Sequence, residues 1–274
     1  MNLDFVYGRR PVWEVLEAGK RSLHKLWVLQ GIRGGIVDKI VQVARERKVP
    51  IEFTTRTHIE QVLAGRRFSE AADYPEGEGP EPADKGKLPP RGPREEENHQ
   101  GVVAQVSATE YLELHDYLRD LTQGQRSILI LLDEVQDPHN VGAILRNAGF
   151  FGADGIIIPK WRSAPIGDTA MRVSAGAMEH LRLMRETNLV QAIDDLKEAG
   201  FEVLGADMEG EPIWDHSISR RTALVVGNEE TGMRRLVREH CDKIIGIPRP
   251  ASVGSLNVAS ATAILLSEIA RKRP

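Results

Sequence analysis

The chain has almost no cysteine: Cys241 stands alone among 274 residues. A single thiol excludes an internal disulfide and any multi-cysteine metal cluster, and it fits the reducing cytoplasm. Its position near the end of a helical pattern reads as apolar filling, not as a nucleophile. Long apolar runs are also missing. None approaches the roughly 20 residues that a membrane-spanning helix needs, so no membrane partner is expected. The opening Met1-Asn2-Leu3-Asp4-Phe5 has no basic segment followed by an apolar core, so no signal peptide is expected. Strong charge of one sign is absent too, since 36 basic and 40 acidic residues leave −4. That balance is uneven. Residues 69–98 hold nine acidic and four basic side chains, a net of −5, which leaves the remainder at about +1. Net charge therefore neither supports nor excludes RNA as a partner.

What is present is the composition of a globular protein, 41% apolar and 28% charged, long enough for one large domain or two ordinary ones. Residues 66–98 are dense in Gly, Pro and charge and offer little to bury, so they read as a flexible acidic insertion. Before it, Pro11–Ala18 reads as a helix, Leu23–Leu29 as a strand, Ile36–Arg47 as a helix, Ile51–Phe53 as a strand and Thr57–Leu63 as a helix. Gly101–Val106 follows as a strand. This is a small α/β unit over residues 1–107, joined by a partly helical linker (108–125, with the helical pattern running from Tyr111 to Thr122) to a second α/β unit over 126–274. There the expected strands are Ile128–Leu132, Gly155–Ile158, Leu181–Met184, Glu202–Ala206, Ala223–Val226 and Ile244–Ile247. Helical patterns at Val141–Phe151, Leu189–Ala199, Met233–His240 and Ser255–Ala270 separate them. Such alternation implies a mainly parallel sheet with helices on both faces. No internal repeat is visible.

Three polar blocks stand out in the second unit: Asp137-Pro138-His139-Asn140-Val141-Gly142-Ala143-Ile144-Leu145-Arg146-Asn147, then Gly227-Asn228-Glu229-Glu230-Thr231-Gly232, then Ile247-Pro248-Arg249-Pro250-Ala251-Ser252-Val253-Gly254-Ser255-Leu256-Asn257. The first two follow apolar β-branched runs, and polar loops at the carboxyl ends of parallel strands are where α/β sheets bind ligands. Each block also has a plainer reading. Asn140 could cap the following helix, the second block could be a glycine turn, and Ser255 could cap the last helix. The second block lacks the Gly-Lys-Ser/Thr ending of a phosphate loop, and its glutamates would repel phosphate. A cationic ligand or hydroxyl groups suit it better. Gly142 and Gly149, near Arg146 on one helical face, would let a backbone or a ligand come close.

Together the blocks resemble the SpoU (TrmH-like) class of SPOUT RNA methyltransferases, whose motifs are Asn-x-Gly-x-x-x-Arg, Gly-x-Glu-x-x-Gly, and Ile-Pro followed by Ser-Leu-Asn-x-Ser/Ala. The resemblance runs from about Ser127 to the C-terminus. It implies a C-terminal trefoil-knotted sheet, a homodimer through the knotted domain, and S-adenosyl-L-methionine (AdoMet) as cofactor with no metal. His99-Gln100-Gly101-Val102-Val103-Ala104 looks like the end of the N-terminal domain in bacterial 23S ribosomal RNA guanosine 2′-O-methyltransferases of the RlmB type. That likeness implies a small N-terminal domain similar to ribosomal protein L30 that binds substrate RNA. The acidic insertion before His99 departs from the pattern. By the resemblance, Asn140, Arg146, Glu229, Ser255 and Asn257 are the catalytic set, and Gly227, Ile247 and Leu256 hold the cofactor through their backbone groups. The expected activity is 2′-O-methylation of a guanosine in 23S rRNA, with transfer RNA as the alternative substrate; the ending Arg271-Lys272-Arg273 soon after the last block favours ribosomal RNA. Arg146 as literal base is awkward, because a guanidinium holds its proton up to a pKa of about 12 or more. Phosphate binding and stabilisation of the alkoxide suit it better. A non-catalytic RNA-binding protein on this scaffold would have no use for Arg146, Ser255 and Asn257 together. A nucleotide-binding regulator lacks any lysine or metal ligand at the glycine-rich turn.

Overall fold

The computed structural model describes residues 3–66, 99–161, 163, 166–248 and 255–272. They fall into two compact units, one drawn from residues 1–16 and 21–108, the other from 17–20 and 109–274. The acidic insertion expected at 66–98 lies, past Arg66, outside the described residues.

The first unit holds β1 (Leu3–Tyr7), α1 (Arg9–Ala18), β2 (Leu23–Leu29), α2 (Ile36–Glu46), β3 (Ile51–Thr54), α3 (Arg56–Arg66) and β4 (Val102–Ser107). The sheet order is β1-β4-β2-β3, with β4 antiparallel to both neighbours and β3 parallel to β2. β1 was not foreseen. Its alternation is short, and it becomes a strand because β4 supplies its partner from a hundred residues away. Tyr7, Trp27 and Val103 on the sheet pack against Ile59 and Leu63 of α3. In α2 the buried residues are Val37, Ile40, Val41 and Ala44, the spacing of one helical face.

The second unit begins with α4 (Leu114–Arg119) and continues β5 (Ser127–Asp133), α5 (Pro138–Phe150), β6 (Gly155–Pro159), α6 (Asp168–Val173), β7 (Arg182–Glu186), α7 (Leu189–Glu198), β8 (Glu202–Pro212), β9 (Arg221–Gly227), α8 (Arg235–His240), β10 (Lys243–Gly246) and α9 (Val258–Lys272). The six strands lie in the order β10-β8-β9-β5-β6-β7, and every pairing among them is parallel. β5 is buried along its whole length, as a parallel strand covered on both faces must be. Leu129 and Leu131 pack with Ile193 and Leu196 of α7, and by alternation Ile130 and Leu132 face the opposite layer. Burying each such side chain stabilises the unit by about 1.5–3 kcal/mol.

On that opposite layer α5 packs against α6 and α9. Gly142 makes the first contact possible, since a Cβ there would lie 2.7 Å from the Ala170 carbonyl oxygen and from Val173 Cβ. Gly149 meets Ala177 in the same way, at 3.0 Å. Gly142 of the first block, and Gly149 just beyond it, therefore admit neighbouring chain. The α6 helix had no counterpart in the sequence reading; six residues are too few to show a period. Between β10 and α9 the chain runs through residues 249–254, which lie outside the described residues, together with Arg249, Pro250, Ala251, Ser252, Val253 and Gly254 of the third block.

Candidate functional site

Blocks one and two leave the carboxyl ends of adjacent strands, β5 and β9, while block three leaves β10 at the sheet edge. The first block becomes helix earlier than its pattern suggests. Asp137 is the N-cap, accepting from the His139 N–H at 2.8 Å, with Pro138 in the first helical position. Asn140 is therefore not a cap; it lies within the first turn, and its amide is left free to reach elsewhere. The third block corrects the second capping expectation. Asn257, not Ser255, caps the last helix, its Oδ1 accepting from the N–H groups of Ala259 at 2.9 Å and Ser260 at 3.2 Å.

The second block is a tight loop. Asn228 and Gly232 exchange backbone hydrogen bonds at 3.1 and 3.0 Å, and Asn228 Oδ1 accepts from the N–H groups of Glu230 and Thr231, an Asx turn. Gly232 has φ +71°. At Gly227 a Cβ would sit 2.3 Å from the Gly232 carbonyl carbon and the Met233 nitrogen, so only glycine lets the loop fold back on the strand. Below the loop, the buried Asp133 accepts from Arg234 twice at 2.7 Å, from its backbone N–H and from its Nε. A carboxylate at the end of an otherwise apolar strand needs such a partner. Its place at the end of β5 was the signal that the sequence reading passed over, as it passed over Arg234 and Asn228.

The three blocks meet in one hydrogen-bonded chain. Asn257 Nδ2 donates to Asn140 Oδ1 at 2.8 Å, and Asn140 Nδ2 donates to Glu229 Oε1 at 2.6 Å. The direction is fixed: Asn257 Oδ1 is committed to the helix cap, so its amide nitrogen must face Asn140, whose nitrogen then faces the carboxylate. Beside this chain lies a cavity of about 440 Å³ lined by Gly227, Glu229, Ile247, Ser255 and Leu256 from the expected site residues. Val226, Ile245, Val258, Ala261 and Leu265 give it an apolar wall, and Asp207 and Glu230 add carboxylates. Asp207 also pairs with Arg238. Ile247 lies just past β10, which ends at Gly246, so its backbone groups are free of the sheet.

Arg146 is not brought to the cavity wall. It is exposed on α5, with no hydrogen-bond or ion-pair partner among the described residues, whereas its neighbour Asn147 ties α5 to α9 through the Ala259 carbonyl at 2.9 Å. Phe150, one turn further on, is 81% exposed. Cys241 takes no part in the site. Burial, and then the Asp242 charge, push its thiol up to about 12, and its sulfur bonds the Val237 carbonyl at 3.3 Å.

The residues fit AdoMet. An apolar slot with free backbone groups suits adenine, and the carboxylates of Asp207, Glu229 and Glu230 suit a ligand bearing a sulfonium and an ammonium. No group of three or more His, Cys, Asp or Glu side chains among the described residues could hold a metal ion. No helix among them is long and apolar enough to cross a membrane.

Comparison with known proteins returns the same pattern. Residues 127–267 match the model of the SpoU rRNA methylase family, and residues 5–67 match a model described as RNA 2′-O ribose methyltransferase substrate binding. YacO of Bacillus subtilis, assigned to the TrmH family of tRNA/rRNA methyltransferases, is 34% identical over 272 residues, 98% of this chain and 96% of that protein. The 23S rRNA (guanosine-2′-O-)-methyltransferase RlmB of Vibrio parahaemolyticus is 34% identical over 274 residues, 100% of this chain and 98% of its own. Among solved structures, the SpoU methyltransferase AviRb from Streptomyces viridochromogenes aligns with a TM-score of 0.73 at 22% identity, covering 99% of this chain and 90% of AviRb. AviRb has also been solved in complex with AdoMet. At that identity the likeness speaks for the fold.

Proposed function

Because the chain belongs to the SpoU rRNA methylase family, we propose that it methylates a ribose 2′-hydroxyl of RNA with AdoMet as donor, and that the target is a guanosine of 23S ribosomal RNA. The observation that carries this reading is the Asn257–Asn140–Glu229 chain at the edge of the 440 Å³ cavity. It joins three blocks far apart in sequence around a slot suited to the cofactor. The full-length RlmB relative supports ribosomal RNA and guanosine, and the name of YacO keeps transfer RNA as an outcome of the test.

In this reading AdoMet in the slot supplies the methyl group on a sulfonium, so no metal is required. Gly227, Ile247 and Leu256 offer backbone groups and apolar surface to the adenine. Glu229, held by Asn140, keeps a negative charge beside the cationic donor. Ser255 and Asn257 position the rim where the ribose enters. A ribose hydroxyl is a poor nucleophile, so the site must remove its proton or balance the developing alkoxide. Arg146, exposed and without a partner among the described residues, is available to bind the substrate phosphate and to face that oxygen. The exposed Phe150 on the same helix fits a homodimer through this unit. A knotted C-terminal path, residues 1–107 as the RNA-binding domain and 126–274 as the catalytic one complete the proposal.

The test is Arg146→Ala. Methyl transfer to 23S rRNA should fall by about a hundred-fold or more while AdoMet affinity and thermal stability stay unchanged. Unchanged turnover would sink the assignment of Arg146. Mapping 2′-O-methyl sites on ribosomal and transfer RNA from cells with and without the protein identifies the substrate.

A further inference from the structure

The His99-Gln100-Gly101 segment has no role in the site above, yet the first unit builds a cavity around it. This cavity, about 510 Å³, is lined by Arg9, Leu29, Ile32, Arg56, His99, Gln100 and Gly101. Two of those side chains are arginines and none is acidic. The turn beneath it is tightly held. His99 Nδ1 accepts from the Gly101 N–H at 3.0 Å, Leu29 N–H donates to the Gly101 carbonyl at 2.8 Å, and a Cβ on Gly101 would lie 2.8 Å from Ile32 Cδ1. Gln100 is held at φ +50°. A non-glycine residue in that region costs roughly 1 kcal/mol or more, and such strain clusters at ligand clamps.

What the turn does is aim Arg9. Gln100 Oε1 accepts from the Arg9 backbone N–H at 3.0 Å, and the Gln100 carbonyl accepts from Arg9 Nε at 3.2 Å. Both terminal nitrogens of the guanidinium are left without a partner among the described residues. An arginine pinned at Nε presents its planar fork already oriented, the geometry that grips a phosphodiester in two bonds. Arg56, across the cavity, pairs with Glu60 at 3.1 Å in an exposed helical contact, a kind of pair that contributes only a few tenths of a kcal/mol.

We infer that this cavity is the phosphate-docking site by which the first unit holds the substrate RNA, with Arg9 as the oriented fork, Arg56 as the second cation and Gln100 as the positioning residue for Arg9. The inference rests on the reading of the protein as an RNA methyltransferase and adds the residues that dock the RNA. RNA affinity should be measured by anisotropy against a 23S rRNA transcript across a salt series, alongside calorimetry with AdoMet. Arg9→Gln and Arg56→Gln should each weaken RNA binding about three- to ten-fold and lower the salt slope by about 0.7–0.9 for each phosphate that is no longer neutralised. The KM for RNA should rise with kcat and AdoMet affinity unchanged. Gln100→Ala removes the Oε1 bond to the Arg9 N–H but keeps the carbonyl that holds Nε, so it should weaken binding less than Arg9→Gln and keep the wild-type salt slope. Arg9→Lys should also keep the slope, because the charge remains, but lose affinity, because lysine lacks the fork. Wild-type affinity and slope in the Arg9→Gln/Arg56→Gln double variant would overturn the inference and leave the methyltransferase reading standing. A wild-type protein that docks RNA through this pair but transfers no methyl group would overturn the reading and leave the site.

Discussion

Asn257 uses both ends of its amide: Oδ1 caps α9, and Nδ2 donates to Asn140 Oδ1 at 2.8 Å. One side chain thus starts the last helix and, 117 positions from its partner, orients the first block. Substitutions can separate the two tasks. Asn257→Asp keeps an acceptor for the Ala259 and Ser260 N–H groups, and a negative charge suits a helix N-terminus. It loses the donor and sets a carboxylate against the Asn140 oxygen. The expected result is a thermal midpoint near wild type with methyl transfer lowered by about ten-fold or more. Asn257→Ala loses both tasks, and stability should drop by about 1 kcal/mol as well. Equal transfer rates in Asp and wild-type forms would show that the amide chain has no part in turnover.

Gly227→Ala tests the cavity wall. The new methyl group would stand 2.3 Å from the Gly232 carbonyl carbon, so the second loop must open by more than a side-chain shift. AdoMet affinity should fall at least about ten-fold in calorimetry, by misplacement of the wall alone. Gly167→Ala is the control: its Cβ would meet nothing within 4 Å, and affinity there should match wild type.

The strands of the second unit were legible because buried parallel strands are continuous apolar runs. Ile128–Leu132 and Ala223–Val226 each extend by only a few residues, to Ser127–Asp133 and Arg221–Gly227. Short or context-dependent elements were not. β1 exists through pairing with β4, and β8 runs on to Pro212 because β10 continues beside it past a register shift. The site was legible as three motifs, but its wiring was not. The plainer alternatives would place the caps at Asn140 and Ser255, whereas Asp137 and Asn257 take them. Both misplacements have one cause: several polar residues precede each helix, and which of them caps depends on where the chain turns. Asp133 and Arg234 escaped notice because their pairing spans 101 positions and joins two different blocks.

That pair makes a third prediction. Asp133 is fully buried while Arg234 is 43% exposed, so removing the guanidinium leaves a buried carboxylate without its charged partner, held from this residue by the backbone N–H alone. Arg234→Ala should cost about 2–3 kcal/mol in denaturant unfolding, below the full value for a wholly buried pair because one partner is half in solvent. Asp133→Asn in that background should recover part of the loss, since a neutral amide tolerates burial better. Additive losses in the double variant would contradict a charge pair beneath the loop.

The acid limb of stability should carry the signature of Glu268. Hydrogen bonding from Arg271, aided by Lys272 and opposed by burial, holds its carboxyl at about 2, below the ordinary 4.5. Lys272 in turn donates to the carbonyls of Ile213 and His216, each at 3.0 Å, and to that of Trp214. A carboxyl that is more acidic when folded stabilises the fold above its unfolded value, and the effect is lost as the pH falls through its folded value. The stabilisation from Glu268 should therefore be complete above about pH 4.5 and decline towards pH 2. Glu268→Gln should unfold more easily than wild type at neutral pH, and the two midpoints should converge as pH approaches 2. Parallel midpoint curves across that window would mean that the α9 anchor owes nothing to the ionised carboxylate.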